Sequence, residues 1–354
     1  MPGALHDLKT ADRARLLRDV VEALRAGGLC VLPTETVYGL AVLPSHAAAV
    51  AKCRALKGRG GEQPFTWHLA RSSDVRHLAT TIPANVERLL ARYWPGPLTV
   101  ILPGRDGGDV GLRVPAHDFT RDVIAACGEG LWLSSVNRHG EEPLRDGPAI
   151  ARAFGGELAM IVDDGPSPIG LASTIVRATG PRLEVLREGI LTGPEVLHTA
   201  ATLVLFVCTG NTCRSPLAAG WAAELTAQKL GVRRDDVLAH GYWFASAGTS
   251  TLDGMPASDG SLAAGAEAKL GLERHQSQAL TPELVERAAR IYCLAQGHRR
   301  AILAEHPDAA SKVAMLRPDG LDVADPYGRE LPVYRRTRDE IRAAVAARLP
   351  EWLA

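Results

Sequence analysis

Leu203-Val204-Leu205-Phe206-Val207-Cys208-Thr209-Gly210-Asn211-Thr212-Cys213-Arg214-Ser215-Pro216 decides how this chain is read. The apolar run Leu203 to Val207 predicts a strand buried on both faces. It delivers Cys208 to its C-terminal end, and Pro216 marks the first turn of a helix. The loop between them can curl so that its backbone N–H groups point inward, and the helix N-terminus adds to the same positive field. Gly210 and Asn211 tolerate the left-handed backbone angles that such a loop needs. Arg214 supplies a planar fork for two phosphate oxygens. These surroundings favour a thiolate at Cys208, and hence a nucleophile. A Cys and an Arg six apart mean little alone. With Gly, Asn, a second Cys, Ser and Pro in register after a strand, they point to an oxyanion site.

Around this stretch the chain alternates helices and strands, the cadence of an α/β protein. Downstream, residues 216–229, 257–270, 282–290 and 336–349 read as helices and 291–294 as a strand. Upstream, residues 12–26 carry Leu16, Leu17, Val20, Val21 and Leu24 at helical spacing, stopped by Gly27-Gly28. A short strand at 29–32 follows, and further strands are expected at 98–102, 111–114, 131–134, 173–176 and 183–186. The length of 354 residues predicts two domains. The boundary is expected near 198, in the small-residue stretch His198-Thr199-Ala200-Ala201, giving domains of 1–198 and 199–354.

Lys+Arg and Asp+Glu are 40 each, so the formal net charge is zero. That argues against bulk-charge affinity for nucleic acid or an anionic membrane. The 46% apolar content is too high for disorder. No run approaches 18 uninterrupted apolar residues, and the start shows no charged region ahead of an apolar one, so neither a membrane span nor a secretory signal is expected. Cysteines at 30, 53, 127, 208, 213 and 293 form no CxxC pair and no Cys/His cluster at zinc spacing. Reduced thiols in a cytoplasmic protein without a structural metal are expected.

The loop Cys208 to Ser215 resembles the signature of low-molecular-weight protein tyrosine phosphatases. Asp325-Pro326-Tyr327 stands where that family has its Asp-Pro-aromatic segment, and Ala245-Ser246-Ala247-Gly248-Thr249 is similar to a further landmark. The resemblance implies a doubly wound parallel sheet. It implies that Cys208 attacks phosphorus to form a phosphocysteine. Asp325 would protonate the leaving group, Arg214 and the N–H groups of the loop Thr209, Gly210, Asn211, Thr212, Cys213 and Ser215 would hold the oxygens, Ser215 would donate to the thiolate and Asn211 would brace the loop, all without a cofactor. Within the family the loop is more similar to the protein arginine phosphatase branch, with Thr212 where tyrosine-specific members carry a bulkier aliphatic residue. Phosphoarginine and phosphotyrosine proteins both stay open as substrates, as does arsenate reduction. Cys208 and Cys213 are also candidates for a reversible disulfide.

A second group of segments lies upstream. Pro33-Thr34-Glu35-Thr36, Tyr38-Gly39-Leu40, Lys57 with Arg59, Trp94-Pro95-Gly96-Pro97-Leu98-Thr99, Leu112-Arg113-Val114-Pro115, Ser135 with Asn137, Ser173-Thr174-Ile175-Val176 and Leu186-Arg187 with Gly189 occur in this order. Two cations two residues apart in an extended segment share a side and suit a polyphosphate, and Ser135 and Asn137 repeat that spacing with hydrogen-bonding groups. Together the segments resemble YrdC-type L-threonylcarbamoyladenylate synthases. The resemblance implies a twisted open sheet with a concave pocket that joins L-threonine, bicarbonate and ATP, with Mg²⁺, for modification of a tRNA adenosine alongside partner proteins. Lys57, Arg59, Ser135, Asn137 and Arg187 would face ATP. Thr34, His68, Arg113 and Ser173 would hold threonine. Phe65 and Trp67 depart from the leucines usual around the histidine. A domain that binds nucleotide or RNA without turnover is the other reading left open.

Overall fold

The structure is a computed structural model that describes residues 4–58, 64–138 and 140–353. The chain divides into two units, Met1–Ala200 and Ala201–Ala354. The division falls just past the expected one because His198-Thr199-Ala200 is not a linker. These residues close the helix Gly193–Ala200, whose Val196 and Ala200 are buried. Arg88 Nε donates to the Ala200 carbonyl at 2.8 Å.

In the first unit, Asp12 caps the helix Arg13–Arg25 by accepting from the N–H groups of Ala14 and Arg15. Leu16, Val20, Val21 and Leu24 form its buried stripe. Ten strands make one mixed sheet. From one edge to the other they are Ala4–Asp7, Met160–Asp163, Cys30–Leu32, Gly39–Val42, Leu131–Ser135, Thr66–His68, Asp109–Arg113, Leu98–Pro103, Thr174–Arg177 and Glu184–Arg187. Cys30–Leu32 and Gly39–Val42 are an antiparallel pair, and Gly39–Val42 also pairs antiparallel with Leu131–Ser135. These pairings bring the loop at Thr34 and the strand end at Ser135 together, although they lie far apart in sequence. Lys57 is the last residue of the helix Ala47–Lys57, which Gly58 closes in the left-handed conformation. The extended segment expected around Lys57 is therefore replaced by a helix C-terminus, and Arg59 lies outside the described residues.

In the second unit the sheet is wholly parallel, in the order Tyr242–Gly248, Thr202–Cys208, Arg290–Cys293, Val313–Met315. The central strand Thr202–Cys208 is buried on both faces. Val204, Phe206 and Cys208 join one core with Leu217, Trp221, Tyr292 and Ile341. Leu203, Leu205 and Val207 join another with Val285, Ile291 and Ile302. That two-sided burial explains why the strand reads as an unbroken apolar run. The helix Arg214–Leu230 starts after the loop and ends at Gly231, whose φ is 70°. Ligands of open α/β sheets sit beyond the carboxyl ends of the strands, and Cys208 stands at such an end. Among the described residues, no helix is long and apolar enough to cross a membrane.

Candidate active sites

In the first unit a cavity of about 220 Å³ opens at the strand ends, lined among others by Thr34, His68, Arg113, Ser135, Ser173 and Arg187. Arg113 is 5% exposed. Its Nε donates to the Gly96 carbonyl, and its Nη2 meets Glu35 Oε1 at 2.5 Å and Thr36 Oγ1 at 2.8 Å. Arg187 donates through Nε and Nη2 to the Ser173 carbonyl. Burial, and then the charge of Arg113, lower the Arg187 pKa. Two guanidiniums thus line one cavity, with Glu35 the paired carboxylate. The balance is positive and suits an anion.

His68 Nδ1 lies 3.1 Å from the Thr66 carbonyl. A carbonyl only accepts, so Nδ1 carries the proton and Nε2 keeps a lone pair. Burial, helped by Arg113, pushes the imidazole down to about 3, so His68 is neutral near pH 7. Thr34 Oγ1 donates to the Val37 carbonyl at 2.6 Å. Ser173 Oγ is 2.8 Å from Thr99 Oγ1.

Lys57 is 3% exposed. Its Nζ donates to the carbonyls of Ser135 and Asn137 at 2.6 and 2.8 Å and to Asn137 Oδ1 at 2.7 Å. Ser135 Oγ donates to the same Oδ1 at 2.6 Å. Three of the five residues expected to face ATP, Lys57, Ser135 and Asn137, therefore form one knot, with Ser135 lining the cavity and the lysine fixing the turn behind its hydroxyl.

In the second unit a cleft of about 390 Å³ is lined by Cys208, Thr209, Gly210, Thr212, Cys213, Arg214, Asp325 and Tyr327, with Ser250, Thr251, Leu252 and Met255. Cys208 Sγ is 2.9 Å from Ser215 Oγ. Asn211 braces the loop from a left-handed conformation, φ 52°. Its Nδ2 donates to Ser215 Oγ at 2.9 Å and to Ser246 Oγ at 2.8 Å, and its Oδ1 accepts from the Gln278 N–H at 2.9 Å. Gly248 lets the next strand approach, because a Cβ there would meet the Thr209 carbonyl at 2.5 Å. Arg214 is 6% exposed. Its Nη1 donates to the Val323 carbonyl at 3.1 Å and its Nη2 meets Asp325 Oδ2 at 2.6 Å. The other Asp325 oxygen accepts from the Tyr327 N–H at 3.2 Å. Cys208 and Cys213 are both free thiols. Cys213 Sγ is 3.1 Å from Ser258 Oγ, and it packs with Ala264 and Tyr334.

Residues 22–189 match the Sua5–YciO–YrdC family, whose description reads telomere recombination. Residues 203–352 match the family described as low molecular weight phosphotyrosine protein phosphatase. A threonylcarbamoyl-AMP synthase of Chromohalobacter salexigens is 34% identical over 47% of this chain and 93% of its own length. The chain belongs to the Sua5–YciO–YrdC family, fused to a low-molecular-weight phosphatase domain. A threonylcarbamoyl-AMP synthase of Pyrococcus abyssi is also 34% identical, over 49% of this chain and 54% of its own. The chain thus spans about half the length of the first curated relatives it matches. A solved structure of a P. abyssi Sua5 variant covers 58% of this chain and 71% of its own at 28% identity, with a TM-score of 0.52. Both units therefore come from enzyme families.

In the synthase-family unit, sequence reasoning passed over Glu35, Thr36 and Thr99, which hold Arg113 and Ser173. It also passed over Ser134, whose Oγ is buried in the cavity wall and lacks a partner among the described residues. In the phosphatase unit it passed over His275 and Gln278, which bond Asn211, and His298, which bonds Thr209. Glu35, Thr36 and Thr99 lie inside the segments singled out from the sequence and offered a signal. Ser134 offered none beyond its place in a strand, and His275, Gln278 and His298 lie too far along the chain from their partners to offer one.

Proposed function

We propose that the chain is a bifunctional enzyme. One activity is ATP-dependent synthesis of threonylcarbamoyl-AMP from L-threonine and bicarbonate. The other is hydrolysis of protein phosphoarginine or phosphotyrosine through a phosphocysteine. The observation that carries the reading is Cys208 with Ser215 at 2.9 Å and the Arg214–Asp325 pair in the same cleft.

In the phosphatase unit Cys208 Sγ attacks phosphorus, and the P–O or P–N bond to the leaving group breaks. Asp325 delivers a proton to that group and then takes one from the water that hydrolyses the phosphocysteine. Arg214 and the loop N–H groups neutralise the equatorial oxygens. Ser215 donates to the thiolate, and Asn211 fixes Ser215. Thr212 lines the cleft and offers a hydroxyl to a guanidinium, which favours phosphoarginine. The exposed Leu252, Met255 and Tyr327 on the cleft wall suit the apolar stem of a side chain held on a protein.

In the synthase unit Arg113 and Arg187 attract anions: the threonine carboxylate and the phosphates of ATP. Neutral His68 presents a lone pair, so it accepts from the threonine ammonium or hydroxyl rather than binding the carboxylate. Thr34 and Ser173 complete the threonine side, and Lys57, Ser135 and Asn137, with Arg59, the nucleotide side. Among the described residues, no group of three or more His, Cys, Asp or Glu could hold a metal ion. Mg²⁺ would therefore come bound to ATP phosphates, its usual mode of binding. Catalysis rests on positioning and charge neutralisation.

Hydrolysis of phosphoarginine and phosphotyrosine peptides by the full chain, with Cys208→Ser as control, tests the first activity. Activity that survives Cys208→Ser sinks the phosphocysteine, and arsenate-dependent thiol turnover in its place would favour arsenate reduction. Thr212→Ile should shift preference toward phosphotyrosine. Pyrophosphate release that needs both L-threonine and bicarbonate tests the second, and its absence in a folded chain leaves a nucleotide-binding module. The balanced charge of 40 against 40 fits compact phosphorylated ligands in cytoplasm.

A further inference from the structure

His298 is a buried titratable group that the phosphatase chemistry above leaves unused. It is 6% exposed and lies in the first turn of the helix Gln296–Glu305. Its Nε2 is 2.9 Å from Thr209 Oγ1. Its Nδ1 is buried and has no partner among the described residues. Thr209 itself is exposed in the cleft, one residue after the nucleophilic cysteine. A buried imidazole therefore holds the side-chain hydroxyl of a residue that lines the cleft.

The proton on His298 can be placed from these contacts. Burial first, and then the charge of Arg214, outweigh Asp322 and Asp325 and hold the imidazole down at about 4, so it is neutral at working pH. A neutral imidazole has one N–H. If Nδ1 carried it, a donor would be stranded in the interior. If Nε2 carries it, only a lone pair is left without a partner. Stranded donors are the rarer and costlier case, so Nε2–H donates to Thr209 Oγ1. The Thr209 hydroxyl then accepts from behind, and its own proton turns to the cleft.

We propose that His298 is a positioning residue that sets the Thr209 hydroxyl as a hydrogen-bond donor to the oxyanion held in the Cys208 cleft. This rests on the phosphatase reading of that cleft. It adds no covalent step. The hydroxyl proton stays on Thr209 and stabilises charge on the phosphoryl oxygens, alongside Arg214 and the loop N–H groups.

The test uses the full chain with two readouts. One is kcat on p-nitrophenyl phosphate. The other is protection of Cys208 from iodoacetamide by inorganic phosphate, which needs no turnover. Losing one oxyanion donor should lower kcat roughly 100- to 1,000-fold. His298→Ala and Thr209→Val should each show that loss and weaken phosphate protection in step, and the double variant should be no worse than either. His298→Gln places an amide N–H near the position of Nε2 and should recover most of the activity, whereas His298→Asn, whose amide stops at the position of Nδ1, should not. Should His298→Ala fail to fold, Thr209→Val and the Gln–Asn pair carry the same comparison. Wild-type kcat in His298→Ala overturns the proposal. So do losses that multiply in the double variant, or equal recovery by Gln and Asn. A wild type that hydrolyses no phosphoester yet shows His298-dependent phosphate protection supports the positioning role and sinks the phosphatase reading alone.

Discussion

Asn211→Ala separates the hydrogen bonds of the phosphate loop from its backbone geometry. The substitution removes the bonds from Nδ2 to Ser215 and Ser246 and the bond from Gln278 to Oδ1. At about 1 kcal/mol each, they contribute about 3 kcal/mol. The φ of 52° costs about 1–2 kcal/mol for any residue with a Cβ, asparagine and alanine alike, so it adds nothing to the difference between them. The loss is therefore about 3 kcal/mol, a large part of the roughly 5–15 kcal/mol that holds a domain folded. For a unit of this size it corresponds to a fall of about 10 °C in Tm. Asn211→Gly loses the same hydrogen bonds but escapes the φ penalty. Its looser unfolded chain costs about 0.4–1 kcal/mol in return, so glycine should be the milder change. Urea titration of the full chain, read by pulse alkylation of Cys293, reports this unit, because Cys293 is fully buried in its core. Loss of the Asn211 donor also frees Ser215 to turn from Cys208, so kcat should fall about tenfold, the equivalent of about 1.4 kcal/mol. The reasoning fails if Asn211→Ala costs less than about 1 kcal/mol, or if glycine proves no better than alanine; either result would mean that the loop does not depend on its left-handed residue.

Lys57→Met should unfasten the Ser135–Asn137 turn and lower threonine-dependent pyrophosphate release by about 100-fold or more, since it removes charged hydrogen bonds of about 1.5–3 kcal/mol; release within a few-fold of wild type would show that the turn holds itself. Arg214→Lys keeps the charge but cannot meet Val323 and Asp325 through one fork, so kcat on phosphopeptides should drop about 10- to 100-fold, and unchanged kcat would exclude the fork. His68 is held at about 3 in the folded unit against an ordinary 6.5. The unfolded chain therefore takes up the proton first as pH falls. This contribution to stability is complete above pH 6.5 and is lost toward pH 3, at up to about 1.4 kcal/mol per pH unit. Urea titrations between pH 7 and 5, read at the buried Cys30 and Cys53, should show that slope flattened in His68→Gln; an unchanged slope would assign the acid sensitivity elsewhere.

What the sequence discloses follows from what each residue touches. The strand Thr202–Cys208 announces itself because both of its faces are buried. Tyr242–Gly248 pairs along its whole length yet ends Ala-Ser-Ala-Gly, small residues chosen for close approach to the loop rather than for apolar area. Ala4–Asp7 is an edge strand, mostly exposed, and shows no alternation. Lys57 looks like a solvated charge because its acceptors are 78 and 80 residues away. Arg214 and Asp325, 111 residues apart, are joined on paper only through the family resemblance. Local pattern reports burial, and the partners of a buried charge are set by topology.

The seam between the units has one further consequence. The helix Gly193–Ala200 is followed at once by the strand Thr202–Cys208, so a single residue, Ala201, separates two pieces of regular structure. A protease needs a stretch of extended, accessible chain, and such stretches are found in loop tips and frayed ends. Here it would first have to unravel a helix turn whose last carbonyl is held by Arg88, or peel out the first residue of a core strand. The join is therefore a poor site for nicking, and one chain carries both units in a one-to-one ratio.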